Sequence, residues 1–177
     1  MDLNYAIVGD NIYKKYKGFT LDIPQLTIPQ GFATALIGEN GAGKTTLMNI
    51  LAGIRLDYKG ELRYFGAYSD KDRENKPEVK EQIGYTGPGS YYLPQWKIKQ
   101  VESVSELLFS NFHKERFEHW LNELSVGADS NYLGKKVNSL SDGNRMKLMI
   151  AGVLARDTKM LLMDEPASPL DPLMRDR

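Results

Sequence analysis

The stretch Gly38-Glu39-Asn40-Gly41-Ala42-Gly43-Lys44-Thr45-Thr46 decides the fold of this chain. It matches the pattern G-x-x-x-x-G-K-[S/T] of a phosphate-binding loop. The apolar run 32–37 precedes it and predicts a buried parallel strand. After the loop, one apolar helix face is formed by Leu47, Ile50, Leu51 and Ile54. A strand, a glycine loop and a helix in this order predict an α/β fold with a phosphate site at the helix N-terminus.

The residue types in this loop, which we call the phosphate loop (38–46), suit contacts with a nucleotide. Glycines allow the backbone to approach a ligand where a Cβ would clash. The Lys44 ammonium suits the β- and γ-phosphates, and the Thr45 hydroxyl suits Mg²⁺. The alternative, a glycine-rich turn before an ordinary helix, is disfavoured by the strand-to-helix context. The expected nucleotide contacts are Gly38, Asn40, Gly41, Ala42, Gly43, Lys44, Thr45 and Thr46.

Composition limits the classes of partner. The 177 residues carry 23 basic and 23 acidic side chains, so no net charge favours nucleic acid or anionic lipid. Cysteine is absent, which excludes disulfides and thiolate metal sites and fits a reducing compartment. No apolar run approaches the length of a membrane-spanning helix. We expect a cytosolic protein whose membrane link, if any, comes through a partner.

Short strands are predicted at both sides of the phosphate loop. Before it, short strands are expected at 5–8, 13–16 and 19–28, with breaks at Gly18, Pro24 and Pro29. After it, 60–66 alternates like a half-exposed antiparallel strand, and 82–86 resembles another strand. The charged segment 69–80 is expected to be a solvated loop.

Two helices are predicted after residues 87–94, a segment rich in glycine and proline that is expected to connect two subdomains. One predicted helix contains Val101 and Leu108, and a second contains Phe117, Trp120, Leu121 and Leu124. The histidines of this region, His113 and His119, lack a carboxylate or cysteine constellation, so we expect them at the surface or in helix packing rather than on a metal.

An apolar strand that ends in two acids is predicted near the end of the chain. Residues 160–163 are apolar and run directly into Asp164 and Glu165. Ligands bind outside the carboxyl ends of strands in open α/β sheets. Asp164 is therefore the expected partner of Mg²⁺, and Glu165 is the candidate catalytic residue that orients or deprotonates the attacking water. The alternative is a strand that ends at an ordinary acidic turn.

Ser141 is the expected N-cap of a further helix, whose apolar stripe is formed by Met146, Met149, Ile150, Val153 and Leu154. With both phosphate elements in place, Leu140-Ser141-Asp142-Gly143-Asn144 resembles the L-S-G-G-Q signature of ATP-binding cassette (ABC) proteins. The segment 168–171 resembles the D-loop of that family. Tyr16 lies about where the family has an aromatic residue that stacks on adenine, with Tyr13 as its competitor. The resemblance covers essentially the whole chain.

The resemblance implies a P-loop NTPase (RecA-like) core sheet with an antiparallel N-terminal β-subdomain and a helical insertion. The core would comprise 1–88 and 137–177, and the helical subdomain 89–136. It also implies a head-to-tail cassette dimer, homomeric or heteromeric, in which Mg²⁺ and ATP lie between the Lys44 loop of one copy and Ser141 with Gly143 of the other. A transmembrane permease would dock on the helical subdomain. Candidate docking residues, for which internal packing is the alternative, are Tyr91, Tyr92, Leu93 and Trp96.

Several positions depart from the family pattern. Asp142 and Asn144 replace glycine and glutamine, and Asp142 places a carboxylate near an expected phosphate. The Q-loop glutamine is expected at about Pro88, and Gln95 is not assigned to that role. The family's switch histidine lies about thirty residues beyond the catalytic glutamate, where this sequence has ended. We therefore expect a C-terminally truncated cassette that binds nucleotide and hydrolyses it slowly.

The expected function is ATP hydrolysis that powers a membrane transporter, at the cytoplasmic face of the cell membrane. Two alternatives stay open: a soluble cassette that acts on ribosomes or DNA, and a regulatory module that binds nucleotide without brisk turnover. The neutral charge offers no nucleic-acid surface. The sequence leaves the substrate open, and it favours export over import only slightly.

Overall fold

The computed structural model describes residues 4–70, 72, 76–88, 91–126 and 132–165. The chain divides into two compact units, Met1–Ile83 and Gly84–Arg177. The predicted subdivision at 88/89 and 136/137 stays a prediction. No helix within the described ranges is both long and apolar enough to cross a bilayer.

An antiparallel sheet forms most of the first unit. Its strands are β1 (Tyr5–Tyr16), β2 (Phe19–Pro29), β3 (Lys59–Tyr64) and β4 (Tyr68–Ser69), in the spatial order β2-β1-β3-β4. Alternate side chains of these strands enter the core, among them Ile7, Ile12, Leu62 and Tyr64, which are fully buried. The predicted antiparallel layer is therefore confirmed, and the predicted strand at 60–66 corresponds to β3.

The expectation that prolines break the N-terminal strands is wrong at Pro24. This residue lies inside β2, whose register with β1 pairs Ile23 with Ile12 and Gln25 with Asp10 and skips Pro24. β2 is one of the two edge strands of this sheet. An edge strand tolerates proline because one of its two sides needs no ladder hydrogen bond.

The predicted helix after the phosphate loop is confirmed as α1 (Lys44–Leu51). Leu47, Ile50 and Leu51 are buried on one face, as the spacing predicts. Ile54 lies beyond the helix and is largely exposed, because the chain leaves the helix at Gly53 with a left-handed φ of 74°. The Tyr64 hydroxyl donates a hydrogen bond to the Leu51 carbonyl at 3.2 Å and ties α1 to β3.

The predicted buried strand at 32–37 is wrong in this structure. Its residues have no strand assignment, and its apolar side chains are exposed, up to 90 % for Ile37. None of the described strands pairs with this segment. A parallel strand is stabilised by neighbours on both sides, and without them the backbone stays hydrated and the side chains find no core.

The predicted solvated loop at 69–80 is also corrected in part. Ser69 ends β4, and a short helix α2 (Pro77–Glu81) begins at a proline that suits the first helical position. Val79 is fully buried in it. One buried apolar residue therefore anchors a segment whose composition is otherwise charged.

The second unit combines a short parallel sheet with helices. Its strands are β5 (Ile83–Thr86), which begins at the last residue of the first unit, and β6 (Met160–Met163). Its helices are α3 (Ile98–Leu108), α4 (Lys114–Glu123) and α5 (Asp142–Leu154), with 3₁₀ turns at Tyr132–Gly134 and Val137–Ser139. All of these strands and α-helices were predicted.

One apolar core joins the three helices of the second unit. It contains Val101 of α3, Phe117 and Leu121 of α4, and Leu148 and Ala151 of α5, all essentially inaccessible to solvent. The end of α3 differs from the prediction, because Leu108 is 64 % exposed. The buried face of α3 instead includes the carboxylate of Glu102.

Candidate functional site

The phosphate loop has the backbone that its glycines permit. Gly41 and Gly43 have φ angles of 84° and 96°, which L side chains rarely adopt. Gly43 is the N-cap of α1, so the helix begins with Lys44 and has no side-chain cap. The backbone N–H groups of the first helical turn are the ones an anion would bind.

The Lys44 side chain folds back over the loop. Its ammonium donates hydrogen bonds to the carbonyl oxygens of Gly38 at 2.8 Å and Glu39 at 2.9 Å. These contacts hold a positive charge above the turn that leads into α1. Most of the loop is open to solvent, since residues 38–42 and Thr45 are exposed. The Lys44 ammonium and the backbone of the phosphate loop thus form a positively charged surface that a phosphate can reach.

An aromatic pair links β1 and β2 to the phosphate loop. The Phe19 ring lies so close to Gly43 that a Cβ there would be 2.5 Å from Phe19 Cζ. Phe19 stacks on Tyr16, with ring centroids 6.2 Å apart. The guanidinium carbon of Arg55 also lies over the Tyr16 ring, 5.5 Å from its centroid. Sequence reasoning found Tyr16 and missed Phe19, whose position depends on the hairpin register.

The competing tyrosine has a different environment. Tyr13 has the Lys59 ammonium 5.9 Å from its ring centroid. The structure gives Tyr13 no aromatic link to the loop comparable to Tyr16–Phe19 within the described residues. Tyr16 is therefore the better candidate for an adenine contact, and that role stays a prediction.

The acidic end of β6 carries a buried carboxylate. Asp164 is 4 % exposed, and its N–H donates to the Thr86 carbonyl at 2.8 Å. Its Oδ2 atom is buried and makes no hydrogen bond to any residue that the structure describes. An uncompensated buried carboxylate is costly, and a divalent cation with its water would compensate it. A carboxylate oxygen is a ligand that Mg²⁺ accepts, and the role of Asp164 as its partner stays a prediction.

Glu165 follows in a left-handed conformation. Its φ is 49°, unusual for a residue with a Cβ, and it is exposed where Asp164 is buried. Strained backbone of this kind is concentrated at functional sites. The two acids thus differ in environment, and their metal-binding and water-orienting roles stay predictions.

The signature segment starts a helix as predicted. Ser141 is the N-cap of α5, and its Oγ accepts a hydrogen bond from the Asn144 N–H at 3.2 Å. Asp142 forms an ion pair with Arg145 at 2.9 Å. Gly143 lies in the first turn and is partly exposed. The carboxylate that departs from the family pattern therefore has a cationic partner on its own helix.

The four candidate docking residues separate into two kinds. Tyr91 and Leu93 are about half exposed, at 50 % and 47 %. Tyr92 and Trp96 pack against the helical core. The docking role of these residues stays a prediction. The D-loop candidate at 168–171 lies outside the described residues.

Comparison with known proteins gives the class of the chain. The family model of the ABC transporter matches residues 21–168. That range contains the phosphate loop, the signature segment and the acidic strand end. The chain belongs to the ABC transporter family, and its fold is the α/β P-loop fold of the ABC cassette.

Individual relatives agree with this assignment. The tungstate uptake system ATP-binding protein TupC of Peptoclostridium acidaminophilum is 34 % identical over 169 residues, which cover 94 % of this chain and 74 % of TupC. The thiamine import ATP-binding protein ThiQ of Haemophilus influenzae is 29 % identical over 153 residues, 85 % of this chain and 68 % of ThiQ. The solved dimer of the bacterial ABC transporter cassette MJ0796 has a TM-score of 0.75 at 20 % identity, over 96 % of this chain and 78 % of the other.

Proposed function

We propose that this chain binds and hydrolyses ATP as the nucleotide-binding subunit of a membrane ABC transporter. The observation that carries the proposal is the Lys44 ammonium held at 2.8 Å and 2.9 Å from two carbonyls of the phosphate loop. Membership of the ABC transporter family supports it. TupC and ThiQ, which are ATP-binding proteins of uptake systems by name, support it further.

Phosphate binding requires only a small change at Lys44. The ammonium exchanges its two neutral carbonyl partners for phosphate oxygens, which are stronger acceptors because they are charged. Loop N–H groups and the N-terminus of α1 supply further donors. The contacting residues are Gly38, Asn40, Gly41, Ala42, Gly43, Lys44, Thr45 and Thr46. Tyr16 stacks on adenine from its place beside Phe19.

Asp164 and Thr45 hold the metal ion in this proposal. The unpartnered Oδ2 of Asp164 supports that assignment. A bound Mg²⁺ neutralises charge that develops on the phosphates during hydrolysis. Glu165 is the catalytic residue and accepts a proton from, or orients, the water that attacks the γ-phosphate. Its exposure leaves it accessible to that water.

A second cassette completes the site. Ser141 and Gly143 of one copy contact the nucleotide held by the phosphate loop of the other, and the N-terminus of α5 adds backbone donors. The dimer of the MJ0796 cassette supports this arrangement. The partner that uses the energy is a membrane permease, which keeps the chain at the cytoplasmic face of the cell membrane. The names of TupC and ThiQ favour uptake over the export that the sequence favours.

The test is nucleotide binding by Lys44→Ala and Glu165→Gln, with Lys17→Ala as the matched control. Lys17 is an exposed lysine in the turn between β1 and β2. Lys44→Ala is expected to weaken Mg²⁺–ATP binding roughly 10- to 100-fold, since it removes charge-assisted hydrogen bonds. Glu165→Gln is expected to bind ATP normally and to accumulate as a nucleotide-dependent dimer, measured by light scattering.

ATP binding that is unaffected by Lys44→Ala would contradict the proposal. If Lys44→Ala binds ATP as well as Lys17→Ala does, the phosphate loop does not hold the nucleotide and the proposal fails. Steady-state turnover of the polypeptide 1–177 tests the further expectation of slow hydrolysis. Brisk turnover, abolished by Glu165→Gln, would contradict that expectation while leaving the ATPase assignment in place.

A further inference from the structure

Two cationic side chains lie over the ring of Tyr16. The Lys14 ammonium is 5.4 Å from the ring centroid, and the guanidinium carbon of Arg55 is 5.5 Å from it. Lys14 is two residues before Tyr16 on β1, so the two side chains leave the strand on the same face. A cation within about 6 Å of an aromatic centroid is attracted to the ring face. The ring that is expected to stack on adenine therefore already attracts two positive charges.

One carboxylate binds both of these cations. Asp57 accepts a hydrogen bond from the Lys14 ammonium through Oδ2 at 2.5 Å and another from Arg55 through Oδ1 at 3.1 Å. The hydrogen bond from Lys14 lowers the pKa of Asp57, so this carboxylate is charged at neutral pH. Asp57 is itself exposed, and exposed ion pairs rearrange at little cost. The carboxylate thus keeps both cations near Tyr16 without fixing them rigidly.

The backbone of Arg55 is tied to the helix that begins at the phosphate loop. The N–H groups of Ile54 and Arg55 both donate to the Asn49 carbonyl of α1, at 2.9 Å and 3.0 Å. Asn49 lies five residues after Lys44, the first residue of α1. Arg55 is therefore held at a set distance from the phosphate loop, as a residue that contacts the other end of a bound nucleotide has to be.

Arg55 is the more accessible of the two cations. Its side chain is 39 % exposed, whereas that of Lys14 is 16 % exposed. A planar guanidinium also stacks on aromatic surfaces, which an ammonium does not. Phe19 stacks on the same Tyr16 ring with an angle of 28° between the planes. A base that stacks on Tyr16 therefore enters a site that already contains an aromatic ring and a guanidinium.

We propose that the Arg55 guanidinium covers the adenine base that stacks on Tyr16, so that the base lies between an aromatic ring and a cation. The position of the guanidinium over the ring, and its bond to an exposed carboxylate, carry this proposal. The entering base moves the guanidinium outward and takes the place of the tyrosine ring beneath it. The cation–π attraction is kept, because a nucleobase also has an aromatic face. This contact rests on the proposed function, in which Tyr16 stacks on adenine.

Calorimetric titration of the full chain with Mg²⁺–ATP and with Mg²⁺–tripolyphosphate tests the contact, because tripolyphosphate has three linked phosphates and no base. Arg55→Ala is expected to weaken ATP binding about 3- to 10-fold, the effect of a cation over an aromatic face. Tripolyphosphate binding is expected to stay unchanged. The matched control is Arg63→Ala, which removes an exposed arginine of β3 that pairs with Asp10 at 2.8 Å. It is expected to leave both affinities unchanged.

Two results would overturn the contact. If Arg55→Ala binds ATP as tightly as Arg63→Ala does, or more tightly, the base displaces the guanidinium or never meets it. If Arg55→Ala loses ATP and tripolyphosphate affinity equally, the effect lies in the phosphate loop or in the fold of the chain and not at the base.

The double variant Tyr16→Ala/Arg55→Ala tests whether both side chains act on the same base. Without the Tyr16 ring the base has no fixed plane for the guanidinium to cover. The double variant is therefore expected to lose less ATP affinity than the product of the two single losses. Losses that multiply fully would show independent contacts and overturn the arrangement of a base between Tyr16 and Arg55.

Lys44→Ala separates this failure from that of the proposed function. If Lys44→Ala weakens the binding of both ligands and Arg55→Ala weakens neither, the phosphate site stands and only the role of Arg55 is wrong. If Lys44→Ala leaves the binding of both ligands intact, the phosphate loop does not hold the nucleotide, and the base contact fails together with the proposed function.

Discussion

The ring of Phe19 lies against Gly43, the last glycine before Lys44 in the phosphate loop. A Cβ at Gly43 would be 2.5 Å from Phe19 Cζ and 3.2 Å from Leu21 Cδ1. The antiparallel sheet thus supports the phosphate loop from one side. It does so through a side chain that the motif itself does not include.

Gly43→Ala is expected to destabilise the chain and weaken nucleotide binding together. The left-handed φ of 96° alone costs an added side chain roughly 1–2 kcal/mol, and the overlap with Phe19 adds to this. Urea unfolding and ADP titration measure the two effects. Gly18→Ala is the control, because Gly18 has a φ of 90° with open space around it and lies outside the loop.

Combining Gly43→Ala with Phe19→Ala measures the overlap between a Cβ at position 43 and the Phe19 ring. If the ring is the obstacle, the double variant Phe19→Ala/Gly43→Ala is more stable than the sum of the single changes predicts, by about 0.5 kcal/mol or more. Strict additivity would show that only the backbone conformation of Gly43 matters.

Gly152→Ala is expected to destabilise the helical core. The Tyr92 hydroxyl, which bonds to Ser105 of α3, lies against Gly152 of α5 where a Cβ would be. Overpacking of this kind costs about 1–3 kcal/mol. Tyr92→Phe removes the obstructing oxygen, so Tyr92→Phe/Gly152→Ala is expected to be more stable than Gly152→Ala. A double variant that is less stable than both single variants would contradict the proposed overlap.

Ser141→Ala is expected to lower the free energy of unfolding by about 1 kcal/mol, because it removes the N-cap of α5. Ser139→Ala is the control. It removes an exposed hydroxyl that donates to the Lys136 carbonyl and caps no α-helix, so a change within about 0.5 kcal/mol is expected. Equal losses in the two variants would show that the cap contributes nothing specific.

Stability is expected to fall in acid through Asp157. Hydrogen bonds from His113 at 2.6 Å and Arg116 at 2.5 Å lower the pKa of Asp157 below 3.8. A lowered folded-state pKa contributes stability that is present above the unfolded value and lost as the pH falls through the folded value. Unfolding should therefore show a weaker pH dependence in Asp157→Asn below about pH 4.

The control for this measurement is Asp22→Asn. This variant removes an exposed carboxylate of β2. An acid dependence in Asp157→Asn that matches the unaltered chain would contradict the assignment to Asp157. A change of similar size in Asp22→Asn would show that the effect is one of net charge.

The elements that sequence predicted well are those with local signals. α5 has an N-cap serine and an apolar stripe, and both are present in the structure. β6 is a run of apolar residues that ends in two acids, and it forms where expected. The phosphate loop carries its own conformational signal in Gly41 and Gly43. In each case the interacting groups lie within a few residues of one another.

The predictions that were wrong or incomplete depend on contacts between distant parts of the chain. The run 32–37 is mostly apolar, yet it pairs with none of the described strands and stays exposed. Pro24 is accepted in β2 only because that strand lies at the edge of its sheet. Phe19 reaches Gly43 through the register of β1 with β2, which composition does not encode.

The sequence by itself determined the chemistry of this protein: glycines that permit a left-handed loop, Lys44 beside them, and Asp164 and Glu165 after an apolar run. Tertiary structure alone decided which side chains surround those groups. The position of Phe19 against Gly43 results from strands that pair across the chain. Helix caps and turns are completed within one stretch, whereas a strand acquires its neighbours only when distant segments meet.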